Sequence, residues 1–302
     1  MKIARFSLAP IHEYTNAAFR LISERHKCKM TFVPLVNVTA VSKGKFIPFI
    51  SEEEKNVTVQ LSGSKPDEFK EAIEVIEKKY PFIKGFNINA GCPSHTTMKA
   101  GAGSALMKNY QLLFQIIKEC KKETTLPVSV KTRIFSEKEK TIEFYKGIED
   151  SGADFLIVHG RTVKQGYSGN VDWNIIKTAN EEMEIPVVGN GNVRNLEEGK
   201  EKIKNGFCSG IMIGRAALQN PRVFEGKNEL TNRERIETAL EYYKICENLG
   251  LIDLNNIKLV YSQIFKGMKN ASKLREEIMK SKSIEKIKDL LDELEKNGDT
   301  WI

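Results

Sequence analysis

Of the features that build a small secreted or metal-centred domain, this chain has almost none. Its 302 residues include five cysteines, Cys28, Cys92, Cys120, Cys208 and Cys246, with no Cys-x-x-Cys pair and no Cys/His spacing of a ligand set. A disulfide framework and a zinc or iron–sulfur site are therefore not expected, and all five are read as free thiols. No run of about 18 apolar residues occurs, so no membrane span is expected. Met1-Lys2-Ile3-Ala4-Arg5-Phe6 leads straight into strand-like sequence, and the expected location is the cytoplasm. There is no Gly-x-Gly-x-x-Gly fingerprint for a resident dinucleotide, no repeat of 20 to 50 residues, and no low-complexity tract beyond lysine- and glutamate-rich helix surface. Charge is only mildly lopsided: 47 Lys and Arg against 40 Asp and Glu leave a net +7, a weak bias toward polyanions.

What is present is a rhythm of short β-rich runs, each ending in a polar or glycine-rich turn and most followed by a helical pattern. Strands are predicted near Phe6 to Ala9, Thr31 to Val36, Val57 to Leu61, Gly85 to Asn89, Val128 to Lys131, Phe155 to His159, Pro186 to Asn190 and Gly210 to Ile213. Helices such as Pro66 to Lys79 and Tyr110 to Lys122 lie between them. Eight strand–helix units close a parallel barrel, so the fold predicted for residues 1–227 is α/β, a (β/α)8 TIM barrel. From about Asn228 the strand signals stop. Residues 228–302 read as a smaller α-helical domain, with helices at Arg233 to Leu249, Asn256 to Phe265, Ala271 to Met279 and Ser283 to Lys296.

The unusual residues cluster where the strands end. Asn87-Ile88-Asn89-Ala90-Gly91-Cys92-Pro93 places a cysteine at the mouth of a buried strand, because Pro93 cannot continue the ladder, and Gly101 and Gly103 give a close-approach loop behind it. Lys131 ends a buried strand, where an ammonium is hard to solvate unless it faces an anion or a flavin ring. His159 ends the run Phe155-Leu156-Ile157-Val158. Gly189-Asn190-Gly191-Asn192 and Gly214-Arg215-Ala216-Ala217 follow the last two strands, the pair after which barrels commonly hold phosphate.

Assembled in this order, the residues resemble the tRNA-dihydrouridine synthase family, flavoenzymes that reduce a uridine in tRNA. The resemblance spans most of the chain. It is carried by Ala9-Pro10, Val59-Gln60-Leu61-Ser62-Gly63, Asn87-x-Asn89-x-Gly91-Cys92-Pro93, Lys99-Ala100-Gly101-Ala102-Gly103-Ser104-Ala105-Leu106, Val130-Lys131-Thr132-Arg133, His159-Gly160-Arg161-Thr162, Asn190-Gly191 and Ile213-Gly214-Arg215-Ala216-Ala217. It implies FMN across the mouth, with Ala9, Pro10 and Gln60 at the isoalloxazine, Lys131 and His159 touching it, and Asn190, Gly191, Asn192, Gly214 and Arg215 around the phosphate. It implies that NADPH or NADH reduces the flavin, that hydride passes from N5 to C6 of the uracil, and that Cys92 gives the proton to C5. Asn89, Arg133 and Arg161 are the implied substrate contacts. A thiol with the ordinary pKa of about 8.5 is mostly protonated near neutrality and suited to that donation. Four positions depart from the family pattern: Ile11 for a methionine, Asn16 for an acid, Pro34-Leu35 for Glu-Met, and Asn192 for an acid.

Two other readings stand beside this one: an FMN barrel reductase of a small molecule, related to dihydroorotate dehydrogenase, and a catalytically silent RNA-binding barrel. The motif form and the added helices speak against the first. Retention of Cys92, Lys131 and His159 speaks against the second. The helical part is expected to grip tRNA, because Asn256 to Lys288 carries Lys258, Lys266, Lys269, Lys273, Arg275, Lys280, Lys282, Lys286 and Lys288 against only Glu276, Glu277 and Glu285. Val260, Ile264, Leu274 and Ile278 are predicted to face inward, with a break near Gly267 and Asn270. No metal is expected, and the chain is expected to be a monomer.

Overall fold

A computed structural model of the chain describes residues 3–268 and 271–297. Eight strands, β1 (Phe6–Leu8), β2 (Thr31–Asn37), β3 (Val57–Ser62), β4 (Phe86–Ala90), β5 (Val128–Ile134), β6 (Phe155–Thr162), β7 (Val187–Asn190) and β8 (Gly210–Ile213), pair in parallel in the order β1-β8-β7-β6-β5-β4-β3-β2. The remaining seam, between β1 and β2, is bridged by Leu8 N–H donating to the Met30 carbonyl at 2.9 Å. This is a (β/α)8 barrel, with each predicted strand within three residues of its observed bounds.

Around it run α1 (Ala17–Arg25), α2 (Val38–Ser42), α3 (Pro66–Lys79), α4 (His95–Lys99), α5 (Tyr110–Glu123), α6 (Lys138–Asp150), α7 (Trp173–Glu182), α8 (Leu196–Lys204) and α9 (Arg215–Gln219). Local signals set their starts: Pro66 opens α3 ahead of Asp67 and Glu68, and the side chains of Asn16, Asp172 and Asn195 cap α1, α7 and α8.

Strand alternation decides what enters the barrel. Val57, Val59, Leu61, Phe86, Ile88, Val128, Val130, Leu156, Val158, Ile211 and Ile213 join the large core cluster shared with the helices. Their neighbours therefore point to the barrel axis. Low in the interior, Phe32, Phe155, Ile157, Val188 and Met212 form a separate apolar plug. The same inward parity continues upward through Gln60, Asn87, Asn89, Ser129, Lys131, Arg133, His159, Arg161 and Asn190, so a polar layer sits on an apolar floor.

One departure from the family pattern has a backbone role. The β2–β3 register shifts between Val33 and Val36, and Leu35 lies at φ 51. Pro34 has no N–H to offer the ladder, and the strand bulges around it.

Beyond the barrel come α10 (Asn232–Asn248), α11 (Leu254–Ile264), α12 (Ala271–Lys280) and α13 (Ile284–Asn297). Val260, Ile264, Leu274 and Ile278 are buried as predicted, in one cluster with the barrel–helix core, while Lys266, Lys273 and Lys280 are exposed. Lys258 is half-buried, and Gly267 turns the chain at φ 92 between α11 and α12. Lys269 and Asn270 lie outside the described residues.

The helices dock on α1 partly through His26, whose Nε2 is 3.0 Å from Glu241 and whose Nδ1 is 3.3 Å from Glu225. Burial works against the imidazolium, but hydrogen bonds and charge from Glu241 and Glu225 outweigh it and raise the pKa above 6.5. A proton held more tightly when folded stabilises fully below about pH 6.5, and that gain is lost as pH rises through the folded value. Urea denaturation should therefore find His26→Gln less stable than wild type at pH 6, with the gap narrowing by pH 8.5. A gap that does not change with pH would rule out the charged pairing.

Candidate active site

At the C-terminal end of β4, a single side chain organises the turn that carries Cys92. Asn89 Oδ1 accepts the N–H groups of Gly91 at 3.1 Å and Cys92 at 3.0 Å. Its Nδ2 donates to Gln60 Oε1 at 2.9 Å, Gln60 Nε2 to Asn87 Oδ1 at 2.8 Å, and Asn87 Nδ2 to Ser129 Oγ at 2.8 Å. The hydroxyl of Ser129 closes the series on the Phe86 carbonyl at 3.3 Å. Each amide is oriented by the next, so the Cys92 backbone is locked by a relay running down the inside of the barrel.

The thiol itself is half-buried, and its Sγ lies 3.8 Å from Thr97 Oγ1 at the start of the following loop. Gly103 allows that loop to close. Any β-carbon there would come within 2.8 Å of both the Cys92 carbonyl and the Thr97 methyl, at φ 60.

Opposite, the ladder places Asn89 beside Lys131, Arg133 beside His159, and His159 beside Asn190. Lys131 Nζ donates to Asn190 Oδ1 at 3.2 Å, and Asn190 Nδ2 donates to the Met212 carbonyl at 2.9 Å. Burial, reinforced by Arg133, pulls the Lys131 ammonium down to about 7. Burial and the charges of Lys131, Arg133, Arg161 and Arg215 hold His159 down to about 2, so the imidazole is neutral. The expected site residues contain these four cations and no carboxylate, which leaves a mouth suited to an anion.

Arg133 and Arg161 are nearly inaccessible, each 2% exposed. Arg133 donates to the carbonyls of Gly91, Thr162 and Gly166, and Arg161 donates twice to Gly169. Much of their hydrogen-bonding capacity thus fastens the loop after β6, although Arg133 Nη2 has no partner among the described residues. That loop carries Tyr167, 65% exposed, whose ring lies 5.8 Å from the Arg133 guanidinium, 6.0 Å from that of Arg215 and 6.5 Å from the His159 ring.

Around the last two strands, Arg215 Nη2 donates to Asn192 Oδ1 at 2.7 Å and ties the two glycine turns together. Asn192 adopts φ 55, a left-handed conformation that asparagine tolerates well. A β-carbon at Gly191 would strike Val171 at 2.8 Å, whereas at Gly214 it would only touch Ala9 at 3.5 Å and Ile11 at 3.7 Å. The N–H groups of Gly191, Asn192, Gly214 and Arg215 have no intramolecular partner among the described residues. Pro10 follows Ala9 on the same rim, and Ala9 N–H donates to the Ile213 carbonyl at 2.8 Å. An open cleft of about 780 Å³ lies beside the mouth, lined by Phe135, Gln165, Asp172 and Trp173 among others, but it includes none of the expected site residues.

Sequence reasoning did not assign roles to Asn87, Ser129, Thr97 or Tyr167. Asn87 and Ser129 had a readable signal, a polar side chain at an inward position of a buried strand. Tyr167 stood between Gly166 and Gly169 with nothing to say that the loop would fold back over the mouth.

A family model for dihydrouridine synthases matches residues 7–298. The chain is 29% identical over 298 residues to a probable tRNA-dihydrouridine synthase of Aquifex aeolicus, covering 93% of this chain and 92% of that protein. It is 27% identical over 294 residues to a tRNA-dihydrouridine(16/17) synthase-like protein of Rattus norvegicus, covering 93% of this chain but only 65% of the rat protein. In fold it is similar to histamine dehydrogenase from Rhizobium sp. 4-9, with a TM-score of 0.56 at 11% identity over 80% of this chain and 49% of that one.

Proposed function

This chain belongs to the dihydrouridine synthase family, and from that membership we propose that it reduces the C5–C6 double bond of uridine in tRNA, using FMN with NADPH or NADH as the reductant. The observation that carries the proposal is one half-exposed thiol, Cys92, on a turn locked by Asn89 beside the cationic site residues Lys131, Arg133, Arg161 and Arg215.

The residues present fit a flavin mononucleotide. Its phosphate would take the unpartnered N–H groups of Gly191, Asn192, Gly214 and Arg215 together with the Arg215 guanidinium, beside Asn190. Ala9, Pro10 and Gln60 would then border the isoalloxazine, with Lys131 and His159 against it. Once reduced, the bound flavin supplies the hydride for C6 of the uracil.

The geometry supports these roles for the protein's own residues. Cys92 holds the proton for C5: its S–H bond breaks as the C–H bond forms, and the thiolate is reprotonated from solvent. Both lone pairs of Asn89 Oδ1 are already used by Gly91 and Cys92, and one Nδ2 proton by Gln60. Asn89 can therefore meet the uracil only as a donor, through its second Nδ2 proton, to a ring carbonyl. Lys131, held down to about 7, gains a proton readily when an anion enters and balances its charge. The neutral His159 offers a hydrogen bond and no charge. The partnerless Nη2 of Arg133 and the loop fastened by Arg161 would border the substrate, which must leave its stack to reach this depth.

Residues 228–302 would grip the tRNA through the basic segment from Asn256 to Lys288, whose Lys266, Lys273, Lys282, Lys286 and Lys288 are exposed. The cytoplasm and a monomer fit such an enzyme.

Purified protein should carry one noncovalent FMN, visible in its absorbance spectrum, and Arg215→Ala should weaken its binding by about 10- to 100-fold, the range for a charged hydrogen bond. Protein that shows no flavin and binds none when FMN is added would sink the proposal.

A further inference from the structure

Between Pro10 and α1 the chain forms a loop that is held partly by its own hydrogen bonds and partly from the helical region. Glu13 sits at φ 68, a left-handed conformation that is unfavourable for a residue with a β-carbon. Part of the loop is tied locally: Tyr14 and Thr15 N–H donate to the Ile11 carbonyl, and Ile11 N–H donates to Thr15 Oγ1 at 3.0 Å. Glu13 is held from elsewhere. Asn256 Nδ2, in the first turn of α11 and 243 residues along the chain, donates to the Glu13 carbonyl at 2.6 Å.

The orientation of that amide is fixed. Asn256 Oδ1 accepts from Asn16 Nδ2 at 2.9 Å and from the Tyr242 hydroxyl at 2.6 Å, while Asn256 N–H donates to Asp253 Oδ1 at 2.7 Å. Asn16 is fixed as well, because its Oδ1 caps α1 through Phe19 N–H and its Nδ2 also reaches Tyr242 at 3.0 Å. One of the departures from the family pattern, Asn16, therefore lies at the junction of barrel and helices. At its other end the loop faces the mouth, where Ala9 and Ile11 border Gly214: a β-carbon at Gly214 would lie 3.5 Å from Ala9 and 3.7 Å from Ile11.

We infer that Asn256 is a positioning residue for the flavin site: through the Glu13 carbonyl it holds the Ala9–Ile11 rim against Gly214. Resting on the FMN site proposed above, this joins the helical region directly to the cofactor end of the mouth.

The test is the FMN dissociation constant, measured by fluorescence quenching, for wild type, Asn256→Ala, Glu13→Gly and the double variant. Asn256→Ala should bind FMN about 5- to 30-fold more weakly, the range set by releasing one left-handed residue. Glu13→Gly should bind like wild type. In the double variant, glycine adopts φ 68 without a steric penalty and should restore most of the lost affinity. A purely stabilising role for Asn256 would lower the unfolding midpoint without moving the flavin constant. That outcome, or a double variant no tighter than Asn256→Ala, overturns the inference alone. Wild-type protein that binds no FMN overturns it together with the proposed function. A Lys266→Ala, Lys273→Ala control should weaken tRNA binding and leave the FMN constant unchanged.

Discussion

Cys92→Ala protein is expected to keep its FMN and its rate of reduction by NADPH, yet to be reoxidised by tRNA about 10²- to 10⁴-fold more slowly, the usual loss when a general acid is removed. The structure makes this a clean substitution. Asn89 holds residue 92 through its backbone N–H, which alanine retains, and the cysteine carbonyl still accepts from Ser104 N–H at 2.9 Å. What disappears is the Sγ and its contact with Thr97. Rapid mixing of reduced enzyme with tRNA isolates the step, because flavin loading and nicotinamide oxidation are followed separately. If the reoxidation rate does not change, the proton comes from another group. Lys131, with a pKa near 7, is then the next to test.

Glu54→Ala should be the most destabilising of the substitutions considered, by about 3–5 kcal/mol in urea denaturation. Arg20 and Glu54 form a two-pronged pair, Nε to Oε2 at 2.6 Å and Nη2 to Oε1 at 2.8 Å, with side chains 1% and 0% exposed. Removing the carboxylate leaves a guanidinium buried without its counter-charge. Arg20 also donates to the Thr15 carbonyl at 3.0 Å and the Phe49 carbonyl at 3.3 Å, so the damage reaches the loop after β1 and the segment leading into β3. Replacing both partners, Arg20→Met with Glu54→Leu, should recover part of the loss and not all of it, since those two carbonyls remain unpaired. A loss below about 1 kcal/mol in Glu54→Ala would mean that water reaches Arg20 and that the pair contributes like a surface one.

The departures from the family pattern illustrate the limit of reading motifs alone. Pro34-Leu35 marks a strand bulge, Ile11 packs near Gly214, and Asn192 accepts a bond from Arg215 while holding a left-handed turn. None of them removes the thiol, Lys131 or the glycine turns. Each has a local backbone or packing role that a residue-by-residue comparison cannot assign.

Strand order, inward parity and the gathering of unusual residues at one rim were all legible in the sequence, because they depend on local rules. A strand alternates its side chains every residue, a proline or glycine ends it, and parallel βα units put every strand end on the same face. Gln60, Asn89, Lys131, His159 and Asn190 therefore had to meet once the barrel closed. The partners they chose there were decided only by tertiary structure. The Gln60–Asn87 and Asn89–Gln60 bonds span 27 and 29 residues, the loop bonds of Arg133 to Thr162 and Gly166 span 29 and 33, and the Asn256–Glu13 clamp spans 243. Such bonds depend on the closure and stagger of the barrel and on how the last helices dock against α1. Ångström-scale geometry of that kind is set by the packing of the whole core, and no short stretch of sequence encodes it.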